Sequence, residues 1–301
     1  MKKTYNKYST WELISLANKT RRKEAGDYFG LCSITNAKSG LCNEDCKFCA
    51  QSLHHNTSAH QFPLKNKREL LDAAWRAKKN GAKRFSIVTS GRGITAKDAG
   101  QIAETVNAIK SEVNITPCAS LGIVSKDTLI LLKAAGLQCY HHNIETSPDF
   151  YPNIVTTHSF EERIKTIEAA KDAGLEVCSG GIIGLGESEG DRIRMAQTLK
   201  DLNVDSVPLN MLIPIKGTPF ENNHPLLPVD ILRTISIFRI ILSDVTIILA
   251  AGRESSLKDF QALAFLAGAN GMMIGGYLTV EGRSLSDDLA MVSQVKQLWN
   301  G

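Results

Sequence analysis

Three cysteines stand close together in the segment GLCNEDCKFCAQS, at Cys42, Cys46 and Cys49. Their spacing is C-x3-C-x2-C, and no second pair of cysteines follows in the pattern of a structural zinc site. Three close thiolates suit a [4Fe–4S] cluster whose fourth iron stays open to a ligand that is not protein. The alternative is three unrelated cysteines in a polar loop, and we prefer the cluster.

The chain has seven cysteines, all between Cys32 and Cys178, and its basic start lacks the apolar segment of an export signal. We therefore expect a cytoplasmic protein whose cysteines bind metal or catalyse rather than pair as disulfides. The 35 basic and 31 acidic residues are intermixed, so we expect no nucleic-acid partner. No apolar run approaches the roughly 18 residues of a membrane span, so we expect no membrane partner either.

Strand-like and helix-like segments alternate after a first helical stretch at 10–24. We predict strands near 31–36, 84–90, 113–120, 137–144, 175–183, 204–213, 245–252 and 271–276, and helices at 67–79, 98–111, 126–135, 160–173, 189–202, 229–243 and 255–267. Left-handed glycine caps are expected after four helices, at Gly81, Gly136, Gly174 and Gly268. Eight β-then-α units predict a TIM-type (β/α)8 barrel. We expect a single domain over 1–301, with the barrel at about 30–290 and an N-terminal helical extension at 1–29.

Several predicted strands carry a polar face, which a barrel strand packed on both sides does not need. Cys139, His141, Asn143 and Glu145 alternate along one strand and therefore share a face. Asn210 stands among hydrophobic residues on another strand. These faces predict a lumen that holds a ligand. The alternative directs them outward between helices, where Glu145 would be buried without an evident partner.

With CNEDCKFCAQS, the chain resembles the radical SAM enzymes, in which S-adenosylmethionine (SAM) binds the open iron of the cluster. The segments HHNIETSPDFYPNIVTTHSFEERIKTIEAAKDAGLEVCSGGIIGLGE, SVPLNMLIPIKGTP, AAGRE and GANGMMIGGYLT resemble the biotin synthases. This resemblance runs from about residue 10 to residue 290. It implies a sulfurtransferase that inserts sulfur by radical chemistry at C6 and C9 of dethiobiotin, with the sulfur taken from an auxiliary iron–sulfur cluster.

The resemblance also assigns roles to residues at matching positions. Arg163 matches an arginine near the SAM carboxylate, and Asn210 matches an asparagine at the ureido ring of dethiobiotin. Asn143 and Glu145 match contacts to SAM and dethiobiotin, although the family more often has aspartate at the Glu145 position. Further SAM-binding positions are implied for Phe48, beside the adenine, and for Gly180, Gly181 and Gly184, on the strand behind the cofactor. A role for these glycines in tight turning is an equal alternative.

The family's auxiliary cluster is a [2Fe–2S] cluster held by three cysteines and an arginine. Cys118, Cys178 and Arg253 match three of these ligands, but Ser86 stands at the fourth position, and serine is a poor iron ligand. We expect Cys32 and Cys139 to converge on Cys118 and Cys178 instead, forming an auxiliary cluster of the four-iron type. The alternative is that Cys32 and Cys139 simply pack.

The same match gives Arg253 a catalytic role, either as a cluster ligand or as a charge that stabilises the sulfides. Its alternative is a salt bridge with Glu254. His141 stands where the family has a substrate-side asparagine, which marks either an altered substrate or a neutral exchange. Two other functions therefore stay open, a related radical SAM enzyme acting on another small molecule and a non-catalytic iron–sulfur or metal-binding protein. The resemblance further implies an electron donor of the flavodoxin or ferredoxin type and a homodimer.

Overall fold

Nine strands form one sheet in the computed structural model, which describes residues 5–278 and 282–300. In chain order they are β1 (Gly30–Lys38), β2 (Arg84–Thr89), β3 (Thr116–Ser120), β4 (Cys139–His141), β5 (Glu176–Cys178), β6 (Gly181–Ile183), β7 (Ser206–Met211), β8 (Thr246–Leu249) and β9 (Gly271–Met273). Each observed strand falls on a predicted one, but β4 is much shorter than the predicted 137–144.

All strand pairs are parallel, and the sheet closes on itself. β5 and β6 are two halves of one barrel strand, because both pair with β7, at Cys178 with Ser206 and at Gly181 with Leu209. The predicted strand at 175–183 is thus interrupted at Ser179 and Gly180. Eight positions around the ring remain, which confirms the predicted (β/α)8 barrel.

Helices follow the strands as predicted, and several begin at a sequence signal that is visible in advance. They are α1 (Thr10–Glu24), α2 (Lys67–Lys79), α3 (Ala96–Ala108), α4 (Lys126–Ala134), α5 (Phe160–Asp172), α6 (Glu189–Asp201), α7 (Pro228–Ile241), α8 (Arg253–Leu257), α9 (Gln261–Leu266) and α10 (Leu285–Asn300). α1, α2, α5 and α6 each start with a capping box, in which a Ser or Asn and an acidic residue three positions later bond each other's backbone N–H.

The predicted glycine caps are confirmed, since φ is +90° at Gly81, +105° at Gly136, +74° at Gly174 and +114° at Gly268. The last helices differ from the prediction. The segment predicted as one helix at 255–267 is divided into α8 and α9 by a 3-10 turn, and α10 was not predicted.

The two ends of the chain pack together on the outside of the barrel. The Arg21 guanidinium of α1 lies 3.6 Å from the ring centroid of Trp299 on α10, and its Nη1 donates to the Gly26 carbonyl at 2.7 Å. The predicted extension is therefore a helix fixed to the barrel, although residues 1–4 of it lie outside the described residues. Among those that are described, no helix is long and apolar enough to cross a membrane.

The interruption between β5 and β6 depends on two glycines that have no room for a side chain. A Cβ on Gly180 would lie 2.0 Å from the Pro208 carbonyl oxygen, and one on Gly181 would lie 2.2 Å from that of Glu145. Real Cβ atoms do not approach oxygen so closely. The backbones of three neighbouring segments meet here only because both residues are glycine.

We predict that Gly181→Ala lowers the free energy of unfolding by at least about 2 kcal/mol, because the added methyl group must displace backbone. Gly190→Ala is the matched control, since Gly190 lies in α6 with only its neighbour Ser188 Oγ near the added Cβ, at 3.4 Å. Alanine should be neutral or stabilising there, by up to about 1 kcal/mol. Chemical denaturation of both variants checks this, and equal effects would contradict it.

Candidate active site

A cavity of about 310 Å³ occupies the barrel lumen and opens at the carboxyl ends of the strands, where TIM barrels carry their active sites. It brings together most of the predicted site residues: Cys32, Cys42, Cys46, Phe48, Cys49, Cys139, His141, Asn143, Glu145, Arg163, Cys178 and Asn210. The polar face of the fourth barrel strand thus points into the lumen, and the outward alternative is excluded.

The loop that carries Cys42, Cys46 and Cys49, here called the cluster loop, is fixed to the barrel by two acidic residues that stand between Cys42 and Cys46. Buried Glu44 accepts hydrogen bonds from Thr157 Oγ1 at 2.6 Å and from His158 Nδ1 at 2.5 Å. Partial burial opposes the charge of Asp45, but the Thr156 hydroxyl and the backbone N–H groups of Thr156 and Thr157, the latter two at 2.9 and 3.2 Å, donate to it and lower its pKa to about 2. These contacts were not predicted, although both acids are visible in the CNEDC segment.

The three loop cysteines fit an iron–sulfur cluster. Cys42 and Cys46 are buried, Cys49 is half-buried, and all three line the cavity. Burial raises the pKa of Cys46, and it raises that of Cys49 to about 11. These thiols are therefore neutral without metal, and cluster binding would displace their protons and supply the missing charge partner. Three ligands leave one further position open to the cavity.

Arg163 and Glu145 form a buried pair beside this loop. Arg163 Nη1 lies 3.6 Å from Glu145 Oε1, and the guanidinium also donates to Tyr151 Oη at 2.7 Å and to the Asn143 carbonyl at 2.9 Å. Burial raises the pKa of Glu145, and Arg163 only partly offsets that effect. Glu145 also has a φ of +68°, a strained value for a residue with a side chain. A cationic ligand beside this carboxyl group would favour its ionised form, which burial otherwise opposes.

A second cysteine group lies deeper in the lumen. Cys118, Cys139 and Cys178 are buried together with Ile248, and half-buried Cys32 packs against them. The sulfur atoms of Cys118 and Cys139 and a ring nitrogen of His141 all lie within 4.8 Å of one another. A hydrogen bond from Cys139 lowers the pKa of Cys178 to about 6 and that of Cys118 well below its usual value. The same contacts raise the pKa of Cys139, and burial raises that of Cys32. Four sulfur atoms gathered from four strands, two of them in thiols that ionise readily, fit a metal or iron–sulfur centre.

His141 lies closer to this cysteine group than its predicted substrate role requires. Its Nδ1 is 3.3 Å from Ser86 Oγ, so the histidine and the serine that replaces the family's cysteine are neighbours. Burial disfavours the imidazolium, but the thiolates of Cys178 and Cys118 favour it more, and the pKa of His141 rises to about 9. The sequence pattern did not predict this contact, because Ser86 and His141 lie on strands that are not adjacent.

Arg84 is a functional candidate that the sequence analysis missed. It lies two residues before Ser86 on β2, so it shares the inward face, and it lines the same cavity as Cys32 and Cys139. Burial opposes its charge, but Glu176 at 2.6 Å and the thiolate of Cys118 raise its pKa overall. The signal for it was present, since strand alternation places residues 84 and 86 on one face.

Arg253, predicted as catalytic, is not brought to the cavity. Its guanidinium donates to Asp288 Oδ2 at 2.6 Å and to Gln261 Oε1 at 2.5 Å, and it lies 3.1 Å from Glu254. The salt bridge to Glu254, weighed as the alternative, is therefore present, and the stronger partner is Asp288 on the unpredicted helix α10. Gly180, Gly181 and Gly184 likewise stand outside the cavity wall, where the first two have the packing role described above.

A closed parallel barrel with a three-cysteine loop facing its lumen defines a radical SAM protein, and the radical SAM superfamily model matches residues 38–199. The model of the Biotin and Thiamin Synthesis associated domain matches residues 208–296. The methylornithine synthase structure superposes with a TM-score of 0.79 at 20% identity, covering 96% of this chain and 88% of that one, which supports the fold alone.

Curated relatives narrow the family further. The biotin synthase of Thermotoga petrophila is 53% identical over 290 residues, 96% of each chain. That of Clostridium acetobutylicum is 48% identical over 286 residues, 94% of this chain and 87% of the relative. The chain therefore belongs to the biotin synthase family.

We predict that Arg253→Met costs about 3 kcal/mol of stability, because it leaves the Asp288 carboxylate buried without its charge partner. Replacing both residues, as Arg253→Met with Asp288→Leu, should recover much of that loss. The iron–sulfur absorbance of the reconstituted protein, per mole of folded protein, should stay unchanged in both. Denaturation and visible spectroscopy measure the two effects. Loss of iron–sulfur absorbance in a folded variant would restore the role predicted from the sequence.

Proposed function

We propose that this protein converts dethiobiotin to biotin by inserting sulfur at C6 and C9. The observation that carries the proposal is that one lumen joins the three-cysteine loop at its rim to a second, four-cysteine group at its base. The family membership and this arrangement fit the same reaction. A radical source and a sulfur source must face one substrate from different sides, and the lumen provides that geometry.

Cys42, Cys46 and Cys49 would hold the [4Fe–4S] cluster, and SAM would bind at its open position. Bound there, the cluster and SAM would supply radical chemistry for unactivated C–H bonds, which no side chain in the cavity is basic enough to deprotonate. Arg163 would pair with the SAM carboxylate, and Glu145 with a cationic group of the cofactor. A bound cation would favour the ionised form of Glu145, which burial otherwise opposes. Phe48 lines the same wall and would cover the adenine.

Asn210 would fix the ureido ring of dethiobiotin. Its Oδ1 already accepts from the Ala251 N–H at 3.2 Å, and its Nδ2 donates to the Gly181 carbonyl at 3.2 Å. These bonds hold the amide in one orientation, yet one N–H and one lone pair stay free for substrate. Asn143 is held similarly, by the Gly180 N–H at 3.1 Å. Apolar neighbours such as Met273 complete the wall and exclude water from the reaction.

Cys32, Cys118, Cys139 and Cys178 would hold the auxiliary cluster, of the four-iron type, which supplies the sulfur. With four thiolates available, Ser86 is not needed as a ligand. Its Oγ instead lies 3.3 Å from His141 Nδ1, and a ring nitrogen of His141 lies within 4.8 Å of the Cys118 and Cys139 sulfur atoms. His141 would face both this cluster and the substrate.

The first test is turnover by the anaerobically reconstituted protein with reductant, SAM and dethiobiotin. We expect both 5′-deoxyadenosine and biotin by mass spectrometry. Cys46→Ala should abolish both products, and Cys139→Ala should keep 5′-deoxyadenosine but lose biotin, because only the sulfur source is damaged. Formation of 5′-deoxyadenosine alone by the unaltered protein would contradict the substrate and favour a related radical SAM reaction. Absence of both would favour a non-catalytic metal protein.

A second test addresses the ligands of the auxiliary cluster. In a background that lacks the loop cysteines (Cys42→Ala, Cys46→Ala, Cys49→Ala), we expect about four irons per chain to remain. Adding Cys139→Ser should remove most of this iron, because a thiolate ligand is lost. Adding Ser86→Ala is the matched control and should leave the iron in place. Iron and acid-labile sulfide analysis gives the numbers, and iron that depends on Ser86 but not on Cys139 would refute this ligand set.

The resemblance leads us to propose three further properties. An external flavodoxin or ferredoxin would deliver the electron, two copies of the chain would form a homodimer, and the protein would act in the cytoplasm.

A further inference from the structure

A second cavity, of about 240 Å³, lies at the opposite end of the barrel. Its walls are the amino ends of the strands, including Gly30 of β1, Arg84 of β2, Glu176 of β5 and Thr246 of β8. We call it the lower cavity, and the one in the lumen the upper cavity. The function proposed above assigns nothing to the lower cavity.

The two cavities meet at the auxiliary cysteine group. Cys32, Arg84, Ser206 and Ile248 line both of them, so only this layer separates the lower cavity from the lumen. Cys32 is also the one half-buried member of its group, whereas Cys118, Cys139 and Cys178 are buried. The lower cavity therefore leads from the solvent to the layer in which the auxiliary cluster would be held.

Two cations and two carboxylates line the lower cavity. Arg84 is bound by Glu176 at 2.6 Å, and Gln138 also donates to that carboxylate. The Asp205 carboxylate accepts the Val177 N–H at 2.7 Å. Exposed Lys83 is the remaining charged residue of the wall, and no described carboxylate lies within 4 Å of it. Lys83 is therefore the group at the entrance that can attract a small anion, and Arg84, paired with Glu176, lies at the inner end.

We propose that the lower cavity is an entry site for hydrosulfide, which Lys83 attracts and Arg84 binds beside Cys32. The proposal rests on the proposed function, in which every biotin carries sulfur away and the protein must receive sulfide to act again. SAM and dethiobiotin would fill the upper cavity, so a path from below serves the cysteine group without their release. The anion binds intact, and no bond forms or breaks in this step.

The test uses the reconstituted holoenzyme after one round of biotin formation. It is given ³⁴S-labelled sulfide, and the label is followed in the acid-labile sulfide of the protein and in the next biotin formed. Lys83→Glu should slow the uptake of label by about tenfold, because it reverses the charge at the entrance. The uptake rate of Lys83→Met should fall between those of Lys83→Glu and the unaltered protein, and Lys83→Arg should take up label at the unaltered rate. Raising the ionic strength should slow uptake by the unaltered protein, have little effect on Lys83→Met and raise uptake by Lys83→Glu, because salt screens attraction and repulsion alike.

Lys97→Glu is the matched control, because exposed Lys97 lies on α3, away from the lower cavity, and the change in net charge is the same. It should take up label at the unaltered rate. Equal uptake by Lys83→Glu and the unaltered protein would overturn the proposal, as would equal slowing by Lys83→Glu and Lys97→Glu. The amount of biotin formed in the first round distinguishes failure of the entry site from failure of the proposed function. Normal first-round biotin with unaltered uptake refutes the entry site alone, and no biotin from the unaltered protein refutes both.

Discussion

Closure of the parallel sheet is the constraint on which the rest of this structure depends. Side chains alternate along a strand, so a closed barrel sends every second residue of each strand into one lumen. Cys32, Cys118, Cys139 and Cys178 come from four strands that are far apart in the sequence, and they meet without any loop to bring them together. The cluster loop has no such support, and hydrogen bonds to residues 156–158 hold it instead.

The interruption of the fifth barrel strand links the integrity of the sheet to the geometry of the site. Glu145 adopts its strained φ because its N–H donates to the Gly180 carbonyl and its carbonyl accepts from the Ile182 N–H, at 3.1 and 2.9 Å. Strain of this kind persists only where the surroundings fix it. The absent side chains of Gly180 and Gly181 therefore let the backbone close around Glu145, which aims its carboxyl group at the lumen.

Much of the fold could be predicted from local sequence signals, because capping boxes and glycine caps act within a few residues. The split of the last predicted helix could not, because neither half starts with a capping side chain. The helix α10 was missed although its local signal is present, since Ser284 Oγ accepts the Asp287 N–H at 3.2 Å. The site divides in the same way. The spacing of the loop cysteines is local, and strand alternation predicted the inward face of Asn143 and Glu145. Contacts across the barrel, such as Ser86 with His141 and Arg253 with Asp288, depend on closure and on an unpredicted helix.

The different positions of Arg84 and Arg253 follow from the number of thiolates. A centre held by three thiolates has a place for an arginine as its fourth ligand, and the family match put Arg253 there. In the proposed auxiliary cluster, the four cysteines that converge here would fill every ligand position, but their combined negative charge would still need an offset in a low-dielectric lumen. An arginine is always charged and can supply that offset without coordinating iron. Arg84 would do so from the amino end of β2, and Arg253 instead holds α10 through Asp288.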